Sequence, residues 1–261
     1  ETGYKASMSK KSTTKISEAE TTDFGYATIP ASEKAGRVRA VFDSVASSYD
    51  VMNDVMSLGI HRYWKDRLIS LISPDTGQHL VDLAGGTGDI AARFLAAGGA
   101  RATIVDINLE MMMAGRNRPN LMDRAGLEWV AGDAEAVPVA SASADLVTIA
   151  FGLRNVTNRD AALKEALRIL KPGGRFYCLE FSRVRSRPLG MVYDTWSSLL
   201  PAFGEVIARD RESYRYLVES IRRFPDQETL AAMMAAAGFS RVKCLDLSGG
   251  IAAIHCGWKL D

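Results

Sequence analysis

The sequence has few of the residues that form disulfides or structural metal sites. It contains three cysteines and three histidines in 261 residues. The cysteines, Cys178, Cys244 and Cys256, are odd in number and widely spaced, which favours free thiols in a reducing compartment over a disulfide framework. The histidines are equally scattered and no CxxC or HExxH spacing occurs, so we predict no metal cofactor.

The chain also lacks a large net charge and a long apolar run. It carries 32 basic and 31 acidic residues, a balance that gives no general attraction for nucleic acid, so no nucleic-acid partner is predicted. No apolar run reaches the roughly 18 residues of a membrane-spanning helix, and the first residues lack the apolar core of a signal peptide. With 47% hydrophobic residues, the chain is expected to fold around a substantial core.

The first 23 residues have the composition of a disordered tail, because they are rich in Ser, Thr, Lys and Glu. Residues 1–7 precede the first methionine and are left out of the fold interpretation. From Glu33 onward apolar residues recur at helical spacing, and a second helical stretch covers His61–Ile72. We therefore predict one domain over residues 24–261 that begins with a helical cap over 24–76.

After the cap, short apolar runs alternate with helical segments. The five strands predicted from these runs are 79–84, 102–107, 127–131, 144–151 and 175–181. This alternation implies right-handed crossovers and therefore a parallel, doubly wound sheet. Two later runs, 242–247 and 251–258, are separated by Ser-Gly-Gly, which predicts an antiparallel hairpin at one edge of that sheet.

A long helical insertion, residues 187–237, lies between the fifth predicted strand and the hairpin. Arginines in it are interleaved with the aromatic residues Tyr193, Trp196, Phe203, Tyr214, Tyr216 and Phe224. Ordinary amphipathic packing is the favoured interpretation for any single aromatic residue. For the segment as a whole we predict a lid that receives an apolar substrate.

A glycine-rich turn follows the first strand and opens a helix, which is where an open α/β sheet binds nucleotides. The turn reads DLAGGTGD from Asp82, and its glycines let the backbone approach a ligand closely. Its spacing is not the GxGxxG of dinucleotide-binding enzymes, which makes an oxidoreductase the weaker alternative. The pattern DxAxGxG resembles the first motif of S-adenosylmethionine methyltransferases, with Ala84 in place of the usual first glycine.

Two further acids lie at strand ends where a nucleoside would be bound. Asp106 ends the second strand, and its carboxylate can accept hydrogen bonds from both ribose hydroxyls of NAD or S-adenosylmethionine. Asp133 and Ala134 follow the third strand, where a methyltransferase uses an acid and the next backbone amide to bind adenine. Asp133 as a plain turn residue is the alternative.

Long segments of the chain resemble the ubiquinone/menaquinone biosynthesis C-methyltransferases, the UbiE type. The resemblance begins with YDVMNDVMS from Tyr49, followed by His61 and Trp64, and continues with RILKPGGRF from Arg168. Further matching segments are 151–157, 180–182, 210–221 and 225–227. The likeness extends from about residue 26 to the C-terminus.

The resemblance implies a Rossmann-like class I methyltransferase, an α/β fold with a mostly parallel seven-stranded sheet and an antiparallel C-terminal hairpin. Helices cover both faces, with an N-terminal helical cap and a helical insertion after the fifth strand. It also implies S-adenosylmethionine as cofactor and S-adenosylhomocysteine as product. The residues predicted to bind the cofactor are Gly85, Gly86, Thr87, Asp106, Asp133, Ala134 and Ala150. The family often has Ser where this chain has Ala150.

The implied reaction is methylation of a ring carbon of a polyprenyl quinol. Arg154 and Asn155 follow the fourth strand, and we predict that they face the crevice. Arg154 would stabilise the phenolate electrostatically or assist its deprotonation through water. Asn155 would orient the ring oxygens. A structural ion pair is the alternative for Arg154. Tyr49 and Asp50 are lid or proton-transfer candidates. His61 is either a base or a packing partner of Trp64.

The implied substrate also suggests where the protein acts. Because a polyprenyl quinol lies in the bilayer, we expect peripheral contact with the inner face of the cell membrane through residues 187–224. A homodimer and a quinone-synthesis complex stay open as assemblies, as does the choice between benzoquinol and naphthoquinol. The alternatives in function are a small-molecule O- or N-methyltransferase and a cofactor-binding scaffold without activity.

Overall fold

A two-stranded hairpin and three helices precede the main sheet in the computed structural model, which describes residues 21–45, 49–208 and 210–261. These elements are β1 (Thr21–Phe24), β2 (Ala27–Pro30), α1 (Ala31–Val45), α2 (Tyr49–Ser57) and α3 (His61–Ile72). The predicted tail ends too late, because its last three residues belong to β1; its residues 1–20 lie outside the described part. The hairpin is stabilised by non-local contacts, since Asp23 forms ion pairs with Lys34 and Arg159.

The seven-stranded sheet confirms the predicted fold class. Its strands are β3 (His79–Leu83), β4 (Arg101–Asp106), β5 (Leu127–Ala131), β6 (Ala144–Ala150), β7 (Leu170–Phe181), β8 (Ser240–Leu247) and β9 (Ala252–Trp258). The spatial order is β5-β4-β3-β6-β7-β9-β8, with parallel pairing from β5 to β7 and antiparallel pairing of β9 with both β7 and β8. Strand β7 starts five residues earlier than predicted, because Leu170 pairs with Ala144 ahead of a register shift.

Helices cover both faces of this sheet and create two apolar cores. Helices α4 (Asp89–Ala96), α5 (Leu109–Arg116) and α6 (Arg159–Ile169) connect the parallel strands. Along β3 the side chains alternate, so that Leu80 packs into one core and Val81 into the other. Each is fully buried, which contributes about 1.5–3 kcal/mol per side chain.

The insertion after β7 folds into α7 (Arg187–Ala208), α8 (Arg211–Arg223) and α9 (Gln227–Ala237). Helices α7 and α8 pack on each other and against α2 and α1. Helix α9 packs with α6 against the sheet instead, through Leu230 and Met234. The predicted lid is therefore too long at its C-terminal end, because α9 belongs to the layer that covers the sheet.

The aromatic residues of the insertion mostly face the protein interior. Tyr214, Tyr216 and Phe224 are buried, as the packing interpretation predicts, and the side chain of Phe203 lies outside the described residues. Within the described ranges, no helix is both long and apolar enough to cross a bilayer.

Candidate active site

A cleft lies at the carboxyl ends of β3 to β6, the place where an open α/β sheet binds its ligand. One wall consists of the loops that follow these strands. The opposite wall is one face of α1, formed by Ala35, Val38, Arg39 and Phe42. The cap helix thus covers the site that the sequence predicts for a nucleotide-type ligand.

The glycine-rich turn after β3 adopts a backbone that favours glycine. Gly86 has a φ of 54° and lines the cleft, and Gly88, with a φ of 79°, caps helix α4. Ala84 has a φ of 50°, so the alanine that replaces the usual first glycine of the motif occupies the left-handed region. That conformation costs about 1 kcal/mol or more for a residue with a Cβ atom.

Asp106 holds the glycine-rich turn in place from the end of β4. Its Oδ2 accepts the backbone N–H of Gly86 and its Oδ1 that of Asn108, both at 2.7 Å. Burial raises the pKa of this carboxyl, and the backbone hydrogen bonds partly oppose that rise. Asp106 lines the cleft, at the position where the sequence predicts ribose binding.

Asp82 is a buried carboxyl next to the same turn. Its Oδ1 accepts a hydrogen bond from Thr148 at 2.6 Å, whereas Oδ2 has no partner among the described residues. Burial raises the pKa of Asp82 to about 7, while the Thr148 hydrogen bond acts in the opposite direction. A Cβ atom on Gly85 would lie only 2.8 Å from Oδ2. Asp82 is not among the residues that line the cleft, so its carboxyl group can act on a positively charged ligand group only through its charge.

Asp133 and Ala134 follow β5 and line the cleft. The Oδ1 atom of Asp133 accepts the backbone N–H of Glu135 at 2.9 Å, so Asp133 also closes a turn, as the alternative interpretation proposes. The two roles are compatible, because a carboxylate has several acceptor sites.

The remaining predicted cofactor ligands lie outside the cleft wall. Thr87 is buried and Ala150 is half-buried, and neither these two nor Gly85 is among the residues that line the cleft. Phe151 and Gly152, directly after Ala150, line it instead. Cofactor contact by Gly85, Thr87 and Ala150 stays a prediction.

Arg154 forms a buried ion pair. Its Nη1 lies 3.1 Å from Oε2 of Glu180 at the end of β7 and also donates to the carbonyl oxygen of Phe151. Both charged side chains are at most 3% exposed, and Arg154 is not among the residues that line the cleft. The prediction that Arg154 faces the crevice is therefore wrong, because its guanidinium is paired with Glu180. The structure shows the structural ion pair that was the alternative interpretation of Arg154.

Asn155 does line the cleft, as predicted. Its Oδ1 accepts a hydrogen bond from the hydroxyl of Tyr216 at 3.0 Å. Tyr216 lies on α8 and stacks on Phe24 of the hairpin, with ring centroids 4.3 Å apart. The loop after β6 is thus connected to both the cap and the insertion.

The other catalytic candidates come from the cap. The side chains of Tyr49 and Asp50 lie outside the described residues, although α2 begins at Tyr49. His61 is buried, and its Nε2 is 2.9 Å from Oδ1 of Asp54. Burial lowers the pKa of His61, and its neighbour Trp64 donates to Ser248, which supports the packing interpretation. Within the described ranges, no three His, Cys, Asp or Glu residues are arranged to hold a metal ion.

Three features of the site were missed from the sequence. The α1 wall repeats at positions i, i+3, i+4 and i+7, and this helical spacing predicts a cap helix without indicating that the helix faces a cleft. Glu180 lies near the end of a strand whose other residues there are apolar. A charged residue in a buried strand usually has a partner, so this acid was the available signal of an ion pair. Tyr216 belongs to the aromatic residues of the predicted lid, but the sequence gives no signal of its contact with Asn155, because the two are 61 positions apart.

Comparison with solved structures identifies the fold. The chain superimposes on a crystal structure of an S-adenosylmethionine-dependent methyltransferase from Thermotoga maritima, a possible histamine N-methyltransferase. The TM-score is 0.62 at 22% identity, over 85% of this chain and 99% of that chain. The fold is therefore that of the class I methyltransferases.

Sequence relatives define the family. Residues 31–259 match the description "ubiE/COQ5 methyltransferase family", and the chain belongs to this family. The ubiquinone/menaquinone biosynthesis C-methyltransferase UbiE of Acidiphilium cryptum is 55% identical over 93% of this chain and 98% of its own length. The protein of the same name from Cereibacter sphaeroides is 53% identical over the same shares. The protein is a methyltransferase, as the sequence predicts.

Proposed function

We propose that this protein methylates a ring carbon of a polyprenyl quinol, using S-adenosylmethionine as the methyl donor. The substrates that fit are demethylmenaquinol and 2-methoxy-6-polyprenyl-1,4-benzoquinol. One observation carries the proposal: a single cleft contains carboxylates suited to the cofactor and, on the loop after β6, an amide suited to ring oxygens. The relatives at 53–55% identity are named for this reaction.

The cofactor fits the residues that are present. Asp106 would bind the ribose hydroxyls, and Asp133 with the Ala134 amide would bind adenine. Asp82 lies next to the glycine-rich turn but does not line the cleft, so its carboxylate would attract the positively charged part of the methionine group through its field. When bound, S-adenosylmethionine supplies an electrophilic methyl group to a ring carbon that carries the negative charge of a deprotonated quinol, and a ring proton is then released.

Arg154 would assist the loss of the quinol proton through its field. Burial raises the pKa of Tyr193 and of Tyr216, and the charge of Arg154 opposes that rise in both. A quinol hydroxyl in the same region would be affected in the same direction, and the Asn155 amide could donate to its oxygen. The role is electrostatic rather than that of a base, because arginine side chains stay protonated in proteins.

The test is methyl transfer by the purified protein. We would incubate it with S-adenosylmethionine and either demethylmenaquinol or methoxy-polyprenyl benzoquinol, and determine the product mass and the carbon methylated. A ring-carbon methyl on either quinol, and none on the oxidised quinones, supports the proposal. Methylation at oxygen or nitrogen, or cofactor binding without transfer, contradicts it.

We further propose that the outer face of α7 contacts the membrane. Most of the described aromatic residues of the insertion are buried and cannot make this contact. On α7, Met191, Val192 and Leu199 are 68%, 67% and 48% exposed. Met191 and Leu199 are eight residues apart and so lie on one face of the helix. Exposed apolar side chains on one helix face are suited to insertion among lipid headgroups. Dimerisation and a larger quinone-synthesis complex stay predictions.

Replacing Met191 and Val192 together by Glu is expected to weaken binding to anionic vesicles by about tenfold or more, because two apolar side chains would no longer leave water. Co-sedimentation with phosphatidylglycerol-containing vesicles measures this. The matched control is Met113→Glu together with Met122→Glu, which adds the same two negative charges, because these side chains are 49% and 56% exposed and lie in and after α5. Equal binding by the wild type and the variant of Met191 and Val192 would refute this surface.

A further inference from the structure

Tyr216 and Asn155 form a hydrogen bond that crosses from the insertion to the cleft. Tyr216 is only 4% exposed, and its hydroxyl donates to Oδ1 of Asn155 at 3.0 Å. Its ring stacks on that of Phe24, with ring centroids 4.3 Å apart, which restricts the movement of the ring. The hydroxyl stays protonated, because burial raises the pKa of Tyr216.

Fixing one end of an amide fixes the other end as well. With Oδ1 of Asn155 held by Tyr216, the Nδ2 group has only one contact among the described residues, a weak one of 3.5 Å to the carbonyl oxygen of Phe151. Asn155 and Phe151 both line the cleft. An amide has two donor hydrogens on nitrogen, so Nδ2 retains donor capacity for a ligand in the cleft.

We propose that Tyr216 is a positioning residue for methyl transfer, which holds the Asn155 amide so that its NH2 group, not its oxygen, is presented to the quinol oxygens. This inference rests on the proposed function. Without the hydroxyl the amide can rotate by half a turn and present its oxygen to the developing phenolate, which is repulsive. The charged groups around Tyr216 are Arg154, Asp23, Arg159 and Glu180, and they stay unchanged in the test below.

The test compares Tyr216→Phe with Tyr214→Phe. Both tyrosines are buried on α8, but the hydroxyl of Tyr214 has no partner among the described residues. Tyr216→Phe keeps the ring and its stacking, so it removes only the hydroxyl. We expect kcat for the quinol to fall about tenfold, as for a hydrogen bond formed in the transition state, with cofactor affinity unchanged. Tyr214→Phe is expected to act like the wild type.

Two further readouts separate positioning from general loosening of the fold. The acidic limb of the kcat–pH profile should move to higher pH in Tyr216→Phe, because the phenolate loses a donor and its pKa in the complex rises. In an Asn155→Ala background, Tyr216→Phe should have little further effect, because both changes remove the same interaction.

Wild-type kcat and an unshifted profile in Tyr216→Phe, or full additivity with Asn155→Ala, overturn this inference alone. Absence of quinol methylation by the wild type overturns the proposed function, and this inference with it. The wild-type assay therefore distinguishes the two failures.

Discussion

Glu180→Ala is expected to lower the free energy of unfolding by about 3–5 kcal/mol, the usual effect of removing one partner from a buried ion pair. The Glu180 carboxylate accepts hydrogen bonds from the side chain and the backbone N–H of Arg154, and from the backbone N–H of Phe181. Among the described residues, its loss leaves the buried guanidinium with the Phe151 carbonyl oxygen and the face of the Phe181 ring as contacts. Urea unfolding followed by circular dichroism measures the change.

The matched control is Glu128→Ala. Glu128 pairs with Arg101 at 2.8 Å, a shorter distance than in the buried pair, but both side chains are about half exposed. An exposed pair contributes about 0–1 kcal/mol, so the two variants should differ by several kcal/mol. Similar losses in the two variants would mean that burial is not what gives the Arg154–Glu180 pair its effect.

The same pair complicates a direct test of Arg154. Arg154→Ala leaves Glu180 buried without its cation, so a loss of methyl transfer could reflect unfolding. The double variant Arg154→Met with Glu180→Gln removes both charges together and is expected to keep most of the stability. Lost methyl transfer in a folded, cofactor-binding double variant supports the proposed role of Arg154. Transfer near the wild-type rate would show that Arg154 is structural only.

Asp106→Ala is expected to weaken binding of S-adenosylhomocysteine on the order of 100-fold. The change removes the carboxylate that would bind both ribose hydroxyls, and each such charge-assisted hydrogen bond contributes about 1.5–3 kcal/mol. It also frees the backbone N–H groups of Gly86 and Asn108, which then compete for other partners. Isothermal titration calorimetry on the purified protein measures the affinity.

Asp75→Ala is the control for this second prediction. The Asp75 carboxylate also accepts a backbone hydrogen bond, from Gly77 at 3.1 Å. Asp75 precedes β3 and so lies at the amino ends of the parallel strands, whereas the cleft lies at their carboxyl ends. Its replacement should leave affinity unchanged. If Asp106→Ala binds within about twofold of the wild type, which is below 0.5 kcal/mol, Asp106 does not hold the ribose.

Several parts of the site could be predicted because their signals are local. The glycine-rich turn is specified by residues that tolerate positive φ, and Asp106 and Asp133 directly follow apolar runs of strand length. In a parallel sheet the carboxyl ends of the strands meet at one edge. Order along the chain was therefore enough to bring Gly86, Asp106 and Asp133 into one cleft.

Other parts depend on residues far apart in the chain. The β1–β2 hairpin has two strands of four residues, too short for a pattern to be distinctive, and its stability comes from contacts such as that of Asp23 with Arg159. Helix α9 follows α8 in the same insertion, and its packing against α6, β8 and β9 separates it from the lid. The pairing of Arg154 with Glu180 depends on β7 lying beside β6 in the sheet.

By itself the sequence determined the strand order along the chain, the glycine-rich turn, the position of the acids at strand ends and the family. Those properties depend on periodicity, backbone preference and neighbouring residues. The tertiary structure decided that α1 covers the cleft, that Glu180 pairs with Arg154 and that Tyr216 holds Asn155. Each of these depends on two side chains that meet only after the chain has folded, because burial and distance set their energies and neither can be read from sequence spacing.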